Sequence, residues 1–195
     1  MNAPMQGVLQ AVPSAPIIPA IFLKALSRVS GRYYGMIGCT NYISSGVMVA
    51  DKIYAMPFYV GVNESFDRIG VSVNTGSGNA HLGLYDDNGS GLPNSLLFDT
   101  GEISVSTGGL KESIISQALT PGLYWLAGLF SGTPSVFRPW NIIDLIGLGS
   151  ISVFNGGSAC FYLTSQAYGS LPNPHPAPSL ASSSDLQPGI CLRRV

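Results

Sequence analysis

The residues between 66 and 74 constrain the fold more than any other segment of the chain. Polar and apolar side chains alternate there, with Ile69, Val71 and Val73 on one side. Successive side chains of a β-strand point to opposite faces, so this alternation predicts a half-buried strand. A glycine-bearing turn follows, and residues 80–85 form a second strand pattern. The segment therefore predicts two consecutive strands joined by a short turn.

Strand signals of this kind recur at short, regular spacing through most of the chain. Residues 123–130 are almost wholly apolar, which is typical of a central strand buried on both faces. Residues 53–59 contain Pro57, which predicts an edge strand because proline cannot donate to a ladder. Gly101 is expected to mark a bulge. Further strands are predicted at residues 96–105, 111–119, 150–154, 160–165 and 190–195, while residues 140–148 are left unassigned.

The spacing of these strands predicts an all-β fold, an antiparallel β-sandwich of jelly-roll-like form with an extended N-terminal arm. Three regions are expected. Residues 1–32 contain four prolines and form the arm, residues 33–170 form the sandwich, and residues 171–195 form a Pro/Ser-rich tail with a final strand. The arm is expected to pack on a neighbouring subunit or a larger particle component, with packing on its own domain as the alternative.

The charge of the chain limits its partners. Charged residues make up 10% of the chain and the net charge is −1, against about 25% charged residues in an average domain. Without a basic stripe, nucleic-acid binding is not expected. The apolar run at residues 15–26 is interrupted by prolines and contains its first cation inside it, so neither a secretion signal nor membrane insertion is expected. Low charge suits a surface that neighbouring subunits cover.

The three cysteines, Cys39, Cys160 and Cys191, stand far apart and form no CxxC pair, so no metal site is predicted. We expect three buried thiols in a protein assembled in a reducing cytoplasm, with one disulfide plus a third thiol as the alternative. The loop at residues 86–90 resembles the start of a calcium loop. The position of the bidentate glutamate is occupied by Leu97, so a turn-rich connection is expected, with a looser calcium site still open.

Residues suited to catalysis are few, and no enzyme and no cofactor are predicted. His81 is out of phase with its apolar neighbours and is expected to face solvent or an interface, while His175 lies in the proline-rich tail. No G-x-S-x-G elbow and no P-loop occur. Asp99 and Glu102 are near each other in sequence, but carboxylates spaced for glycoside hydrolysis cannot be located.

Aromatic residues offer weak candidates for ligand binding. Trp140, Tyr168 and Tyr59 lie beside predicted loops, where an aromatic face can stack on the apolar face of a sugar ring. The alternative for each is packing in the core or at a subunit interface. Trp125 lies inside the most apolar strand and is predicted to be core.

Several segments carry a resemblance to a known family. They read FDRIGVSV at 66–73, AHLGLYD at 80–86, GLPNSLLFDTG at 91–101, LTPGLYWLA at 119–127 and QAYGSLP at 166–172. Together, over roughly residues 54–176, they resemble a module of bacteriophage and prophage virion structural proteins labelled tail, tail-fibre or minor structural proteins. The resemblance implies a jelly-roll-like sandwich without catalytic residues. Such modules normally follow a long shaft, and the short arm here favours a compact part instead.

The resemblance and the composition together lead to two functional expectations. The first is a virion structural protein assembled in the host cytoplasm, a compact head decoration or spike, or a small tail or baseplate protein. It would form a homotrimer and contact other virion proteins through its arm and tail. The alternative is a carbohydrate-binding module for host surface glycans, free or within a receptor-binding tail protein.

Overall fold

A computed structural model describes residues 28–37, 41–140, 161–179, 181 and 186–195 of the chain. These residues form strands and irregular connections, and none of them is helical. No helix among them is long and apolar enough to cross a membrane. The strands are β1 (Tyr33–Tyr34), β2 (Asn41–Val47), β3 (Lys52–Val60), β4 (Glu64–Thr75), β5 (Asn79–Asp87), β6 (Pro93–Ser104), β7 (Gly109–Leu119), β8 (Gly122–Phe130), β9 (Ser135–Trp140), β10 (Tyr162–Ser165) and β11 (Ile190–Arg194).

The first sheet, sheet A, is organised around the long strand β4. Strand β7 pairs with β4 from Glu64 to Val73 along one edge. Strand β11 pairs with residues 66–71 of β4, and β9 with residues 73–75, along the other edge. The order β1-β11-β4-β9-β2, with β7 beside β4, makes a six-stranded antiparallel sheet. The final strand predicted from the sequence is therefore an inner strand of this sheet.

The second sheet, sheet B, has the order β10-β3-β8-β5-β6. Strand β8 lies at its centre, between β3 and β5, and every residue from Trp125 to Phe130 is buried. The prediction of a central strand buried on both faces is confirmed. The two consecutive strands predicted at residues 66–74 and 80–85 are also confirmed as β4 and β5. The turn at residues 76–78 carries the chain from sheet A to sheet B, so the two strands do not pair with each other.

The main core lies between the inner faces of the two sheets. Ile69, Val71 and Val73 of β4 all point into it, as their alternation predicts, and each is at most 2% exposed. Tyr54 packs edge-on against Phe130 with ring centroids 6.0 Å apart. Two antiparallel sheets packed in this way confirm the β-sandwich. The jelly-roll-like form stays a prediction, and most of the predicted arm lies outside the described residues.

A second apolar cluster covers the outer face of sheet B. Trp125 and Tyr85 point away from the main core and are fully buried, together with Ile53, Ala55, Ala127 and Leu129. The segment of residues 168–178, here called the strap, lies over them and contributes Leu171 to the cluster. The proline-rich part of the tail is thus a cover for the sheet.

Two details of strand pairing bear on the sequence predictions. The prediction of an edge position for the strand with Pro57 is wrong, because β3 lies between β10 and β8. The proline is accommodated because β10 pairs only as far as Ala55, and the carbonyl of Pro57 points away from β8 to accept the N–H of Ile37. Gly101 has a φ of +70° and lies at the register shift between β5 and β6, so the predicted bulge is confirmed.

Candidate functional site

The three aromatic candidates for sugar stacking do not lie together. Tyr59 is near the end of β3, on the outer side of sheet B, and its side chain is 40% exposed. Tyr168 is held near the other end of β3, where its N–H donates to Asp51 Oδ1 at 2.8 Å. These two ends are roughly 25 Å apart along the strand. Trp140 is the last residue of β9 in sheet A, paired with Asn41, and its side chain lies outside the description.

The Tyr168 ring is engaged by its own chain. Its hydroxyl donates to Glu102 Oε2 at 3.0 Å, and its ring packs edge-on against His81 at 5.4 Å between centroids. Burial and the hydrogen bond to Glu102 both raise the pKa of the Tyr168 hydroxyl. Tyr168 therefore serves as an anchor of the strap, whereas the Tyr59 ring is open to a ligand.

His81 was expected to face solvent or an interface, and this prediction is wrong. The residue is only 7% exposed, because the strap covers the outer side of β5 on which it lies. Its Nδ1 atom lies 2.9 Å from Asp99 Oδ1, and Asp99 Oδ2 accepts the N–H of Leu171. Among the described residues, no group of three His, Cys, Asp or Glu side chains is placed to hold a metal ion. The His81–Asp99 pair joins β5, β6 and the strap.

His175 is buried in the strap, as Leu171 is. Its backbone N–H donates to the Asn94 carbonyl at 2.8 Å, and its ring packs edge-on against Tyr85 at 4.9 Å. Nδ1 lies 2.6 Å from the Pro176 carbonyl, which can only accept, so Nδ1 carries the proton. The Nε2 lone pair is then buried without a hydrogen bond. Burial lowers the pKa of His175, and the ring is neutral in this setting.

The acidic loop at residues 86–90 uses its oxygens to fold itself. Asp87 Oδ2 accepts the N–H groups of Gly89 and Gly91, and Asp87 Oδ1 accepts Trp125 Nε1–H at 2.9 Å. Asp86 Oδ1 accepts the N–H of Ser95. These contacts match the turn-rich connection expected from the sequence. A cation here would have to compete with each of them.

The outer side of sheet A carries exposed apolar side chains and is here called the open face. Pairing of Arg68 with Ile114 and of Ser72 with Leu110 places these residues on the side of β4 opposite its buried Ile69 and Val71. Ile114 is 76% exposed and Leu110 is 56% exposed. Tyr33 and Val47 also lie on this face and are exposed. None of the described segments covers it, in contrast to the strapped face of sheet B.

Charges on the open face neutralise one another. Arg68 Nε lies 3.3 Å from Glu112 Oε1, and the hydroxyl of Tyr33 donates to the other oxygen of this carboxylate. Arg193 makes a two-point contact with Asp67, which lowers the pKa of that carboxyl. The open face also contains a groove of about 210 Å³ lined by Tyr33, Val71, Ser72, Leu110, Phe137, Gly189, Cys191 and Gly70. A face with exposed apolar side chains, a groove and balanced charges suits contact with another protein.

The end of sheet A at which β4 begins and β7 and β11 finish contains a cleft of about 510 Å³, here called the end cleft. Glu64 lies at its base with a fully buried side chain. Its Oε2 accepts Arg28 Nη1 at 2.6 Å, and its Oε1 accepts the Arg28 N–H and lies 3.3 Å from Arg194 Nε. The cleft is lined by Asn63, Glu64, Ser65, Ala118, Leu119, Thr120, Arg194 and Val195.

The sequence analysis identified neither the open face nor the end cleft. Ile114 lies in an ordinary strand pattern, and nothing in the spacing of Glu64 and Arg194 indicates that β4 and β11 are neighbours. Of the cysteines, Cys191 is half-buried on the open face, and Cys39 and Cys160 lie outside the described residues.

Comparisons with known proteins do not identify the chain: no family model, curated protein or solved structure matches it.

Proposed function

We propose that the protein is a non-enzymatic structural component of a bacteriophage virion, a compact surface part that assembles with copies of itself. The proposal rests on the phage-like segments of the sequence and on one structural observation, the open face of sheet A. Several exposed apolar side chains on one face, here Ile114, Leu110 and Val47, are typical of a surface that a partner covers. A second copy of the chain is the proposed partner.

The contrast between the two outer faces supports this proposal. The strap helps to bury the apolar cluster around Trp125 on the outer side of sheet B, but the described residues leave the corresponding side of sheet A uncovered. The arm and the tail are the proposed contacts to other virion proteins, and three copies are proposed, as the resemblance implies. A head decoration or spike and a small tail or baseplate part both fit a compact sandwich.

Membership of a particle is tested by labelling. Phage particles are purified from a host that encodes the chain and are then exposed to gold-labelled antibodies raised against the protein. The proposal predicts gold at one defined location on intact particles, and protein that co-sediments with them after a high-salt wash. Protein found only in the soluble fraction, with unlabelled particles, would contradict it.

Recognition of a host surface glycan is the second candidate function, and the exposed ring of Tyr59 favours it. The ring stands at the end of β3, where a sugar can stack on it. Replacing Tyr59 with Ala should abolish binding in a glycan screen without changing the melting temperature. Replacing Tyr168 with Phe removes only the hydroxyl bonded to Glu102 and serves as the control. Unchanged glycan binding by Tyr59→Ala would remove this residue from the proposed site.

A further inference from the structure

We infer that a neighbouring copy of the chain inserts its Ile114 side chain into the apolar groove of the open face. This inference rests on the proposed self-assembly and names the contact through which it occurs. The groove of about 210 Å³ is smaller than the roughly 300–1,000 Å³ of small-molecule sites. A groove of that size suits one apolar side chain of a partner better than a whole small molecule.

The groove lies where two strands share one edge of β4. Pairing of β9 with β4 stops at Val73, and β11 pairs with β4 from Val71. Across this junction the N–H of Gly189 donates to the Phe137 carbonyl at 2.9 Å. Gly70 lines the groove next to the inward-facing Val71, and it has no side chain to fill the outer side of β4. The groove is therefore built into the arrangement of the strands.

The largest residues that line the groove are apolar or aromatic. They are Leu110, Phe137 and Tyr33, and the Tyr33 hydroxyl already donates to Glu112 Oε2. Leu110 is 56% exposed, so a partner that covers it removes apolar surface from water, which is favourable by about 25 cal/mol for each Å². An apolar side chain, and not a charged group, is therefore the complement of the groove.

Ile114 is the side chain best suited to enter such a groove. At 76% it is the most exposed of the large apolar side chains among the described residues. It does not line the groove of its own chain, since it lies four residues from Leu110 on β7, which is about 14 Å along a strand. A groove and a projecting side chain at separate places fit a ring, in which each copy gives Ile114 to one neighbour and receives it from another. Such a ring agrees with the three copies proposed above.

The size and the charge of the open face also favour a second copy as the occupant. The face is four strands wide, and β4 has 12 residues, so spacings of about 4.8 Å between strands and 3.4 Å between residues give an area of roughly 780 Å². A standard protein interface buries about 800 Å² on each partner. Arg68 is paired with Glu112, and Arg193 is paired with Asp67. The charges of these pairs cancel, which limits repulsion between two copies of the same face.

The experiment replaces the apolar contact with a charged one and measures the dissociation constant of the full-length assembly by sedimentation equilibrium. Ile114→Lys and Ser72→Asp should each weaken self-association about tenfold or more, because each places a charge in an apolar contact. The chain with both changes should assemble at least about tenfold more tightly than either single variant, because the introduced ammonium and carboxylate meet between copies. They cannot meet within a chain, since Ser72 pairs with Leu110, four positions from Ile114.

Ser104→Asp is the matched control, because the exposed Ser104 lies on β6 of sheet B and the change adds the same charge. Combined with Ile114→Lys, it should restore no assembly. If Ser72→Asp lowers the melting temperature, Leu110→Asp on the wall of the groove takes its place, with the same expected weakening and the same expected rescue.

The inference is overturned if the groove variant assembles as tightly as the unchanged protein, or if the double variant is no tighter than the single ones. It is also overturned if Ser104→Asp rescues Ile114→Lys as well as the groove variant does. In each of these cases an unchanged protein that still assembles leaves the proposed self-assembly standing. An unchanged protein that is monomeric would remove the proposed self-assembly, and the inference with it.

Discussion

Nδ1 of His81 lies 2.9 Å from Oδ1 and 3.0 Å from Oδ2 of Asp99, which joins two neighbouring strands of sheet B on their outer side. The same carboxylate accepts the N–H of Leu171 and so fixes the beginning of the strap. Further along, the Tyr85 hydroxyl donates to the Pro172 carbonyl at 2.8 Å. A proline-rich segment that could stay extended in solvent is thereby tied over an aromatic sheet face.

Acid should loosen the strap through His175. Burial lowers the pKa of His175 in the folded protein below its ordinary value of 6.5, so the unfolded chain binds the proton more readily. The stabilising effect of the neutral ring is fully present above pH 6.5 and is lost as the pH falls below that value. We expect the melting temperature to drop between pH 7.5 and pH 5 more steeply in the unchanged protein than in His175→Gln.

The comparison of pH slopes isolates this residue, because His81 and every carboxylate are present in both proteins. Quenching of tryptophan fluorescence by iodide, measured over the same pH range in a Trp140→Phe background, reports whether Trp125 becomes accessible when the strap leaves. Identical slopes for the two proteins would contradict a role of His175 in holding the strap.

Asp87 should stabilise the fold through Trp125. The indole N–H is buried against sheet B and donates to Asp87 Oδ1, so Asp87→Ala leaves a buried donor without an acceptor. Such a loss costs about 1–3 kcal/mol, and urea unfolding monitored by far-UV circular dichroism measures it. Asn88→Ala is the control, because the side chain of the exposed Asn88 accepts the N–H of Ser90 and touches no buried donor. Equal free energies of unfolding for the two variants would show that the indole contact contributes nothing.

Glu64 should be the most sensitive charged residue of the described structure. Its side chain is fully buried between Arg28 and Arg194, and removing one partner of such a group costs about 3–5 kcal/mol. Glu64→Ala is therefore expected to lower the free energy of unfolding far more than Glu112→Ala, whose exposed pairs contribute about 1 kcal/mol or less. Chemical denaturation measures the free energy of unfolding of both variants. Equal values for Glu64→Ala and Glu112→Ala would contradict this prediction.

The sequence predicted the fold well where one face of a strand is buried. Alternation located the inward side of β4, and the unbroken apolar run located β8 at the centre of its sheet. Strands β2 and β9 were not predicted individually, because Gly46 and Pro139 interrupt short segments with mixed polarity. The strand with Pro57 was wrongly placed at an edge. An inner strand can contain this proline because β10 ends its pairing at Ala55, and the end of that pairing is set by the tertiary structure.

The candidate sites could be predicted less well, since they depend on contacts between distant segments. The burial of His81 follows from the strap, which begins 87 residues after it at Tyr168. The phase of the strand placed His81 on the outer side correctly, but nothing local indicates that a proline-rich tail folds back over that side. The end cleft likewise combines residues from β4, β7 and β11, and no sequence motif marks their meeting.

The central claim is that the open face is where copies of the chain meet, and the mass of the assembly in solution tests it most directly. Light scattering of the full chain should give a multiple of 20.4 kDa, and Ile114→Lys should reduce it to a single chain that keeps its fold. Leu97→Lys, on the opposite sheet, should leave the mass unchanged. An unchanged protein that is monomeric at high concentration, or an Ile114→Lys variant with the mass of the parent, would contradict the account.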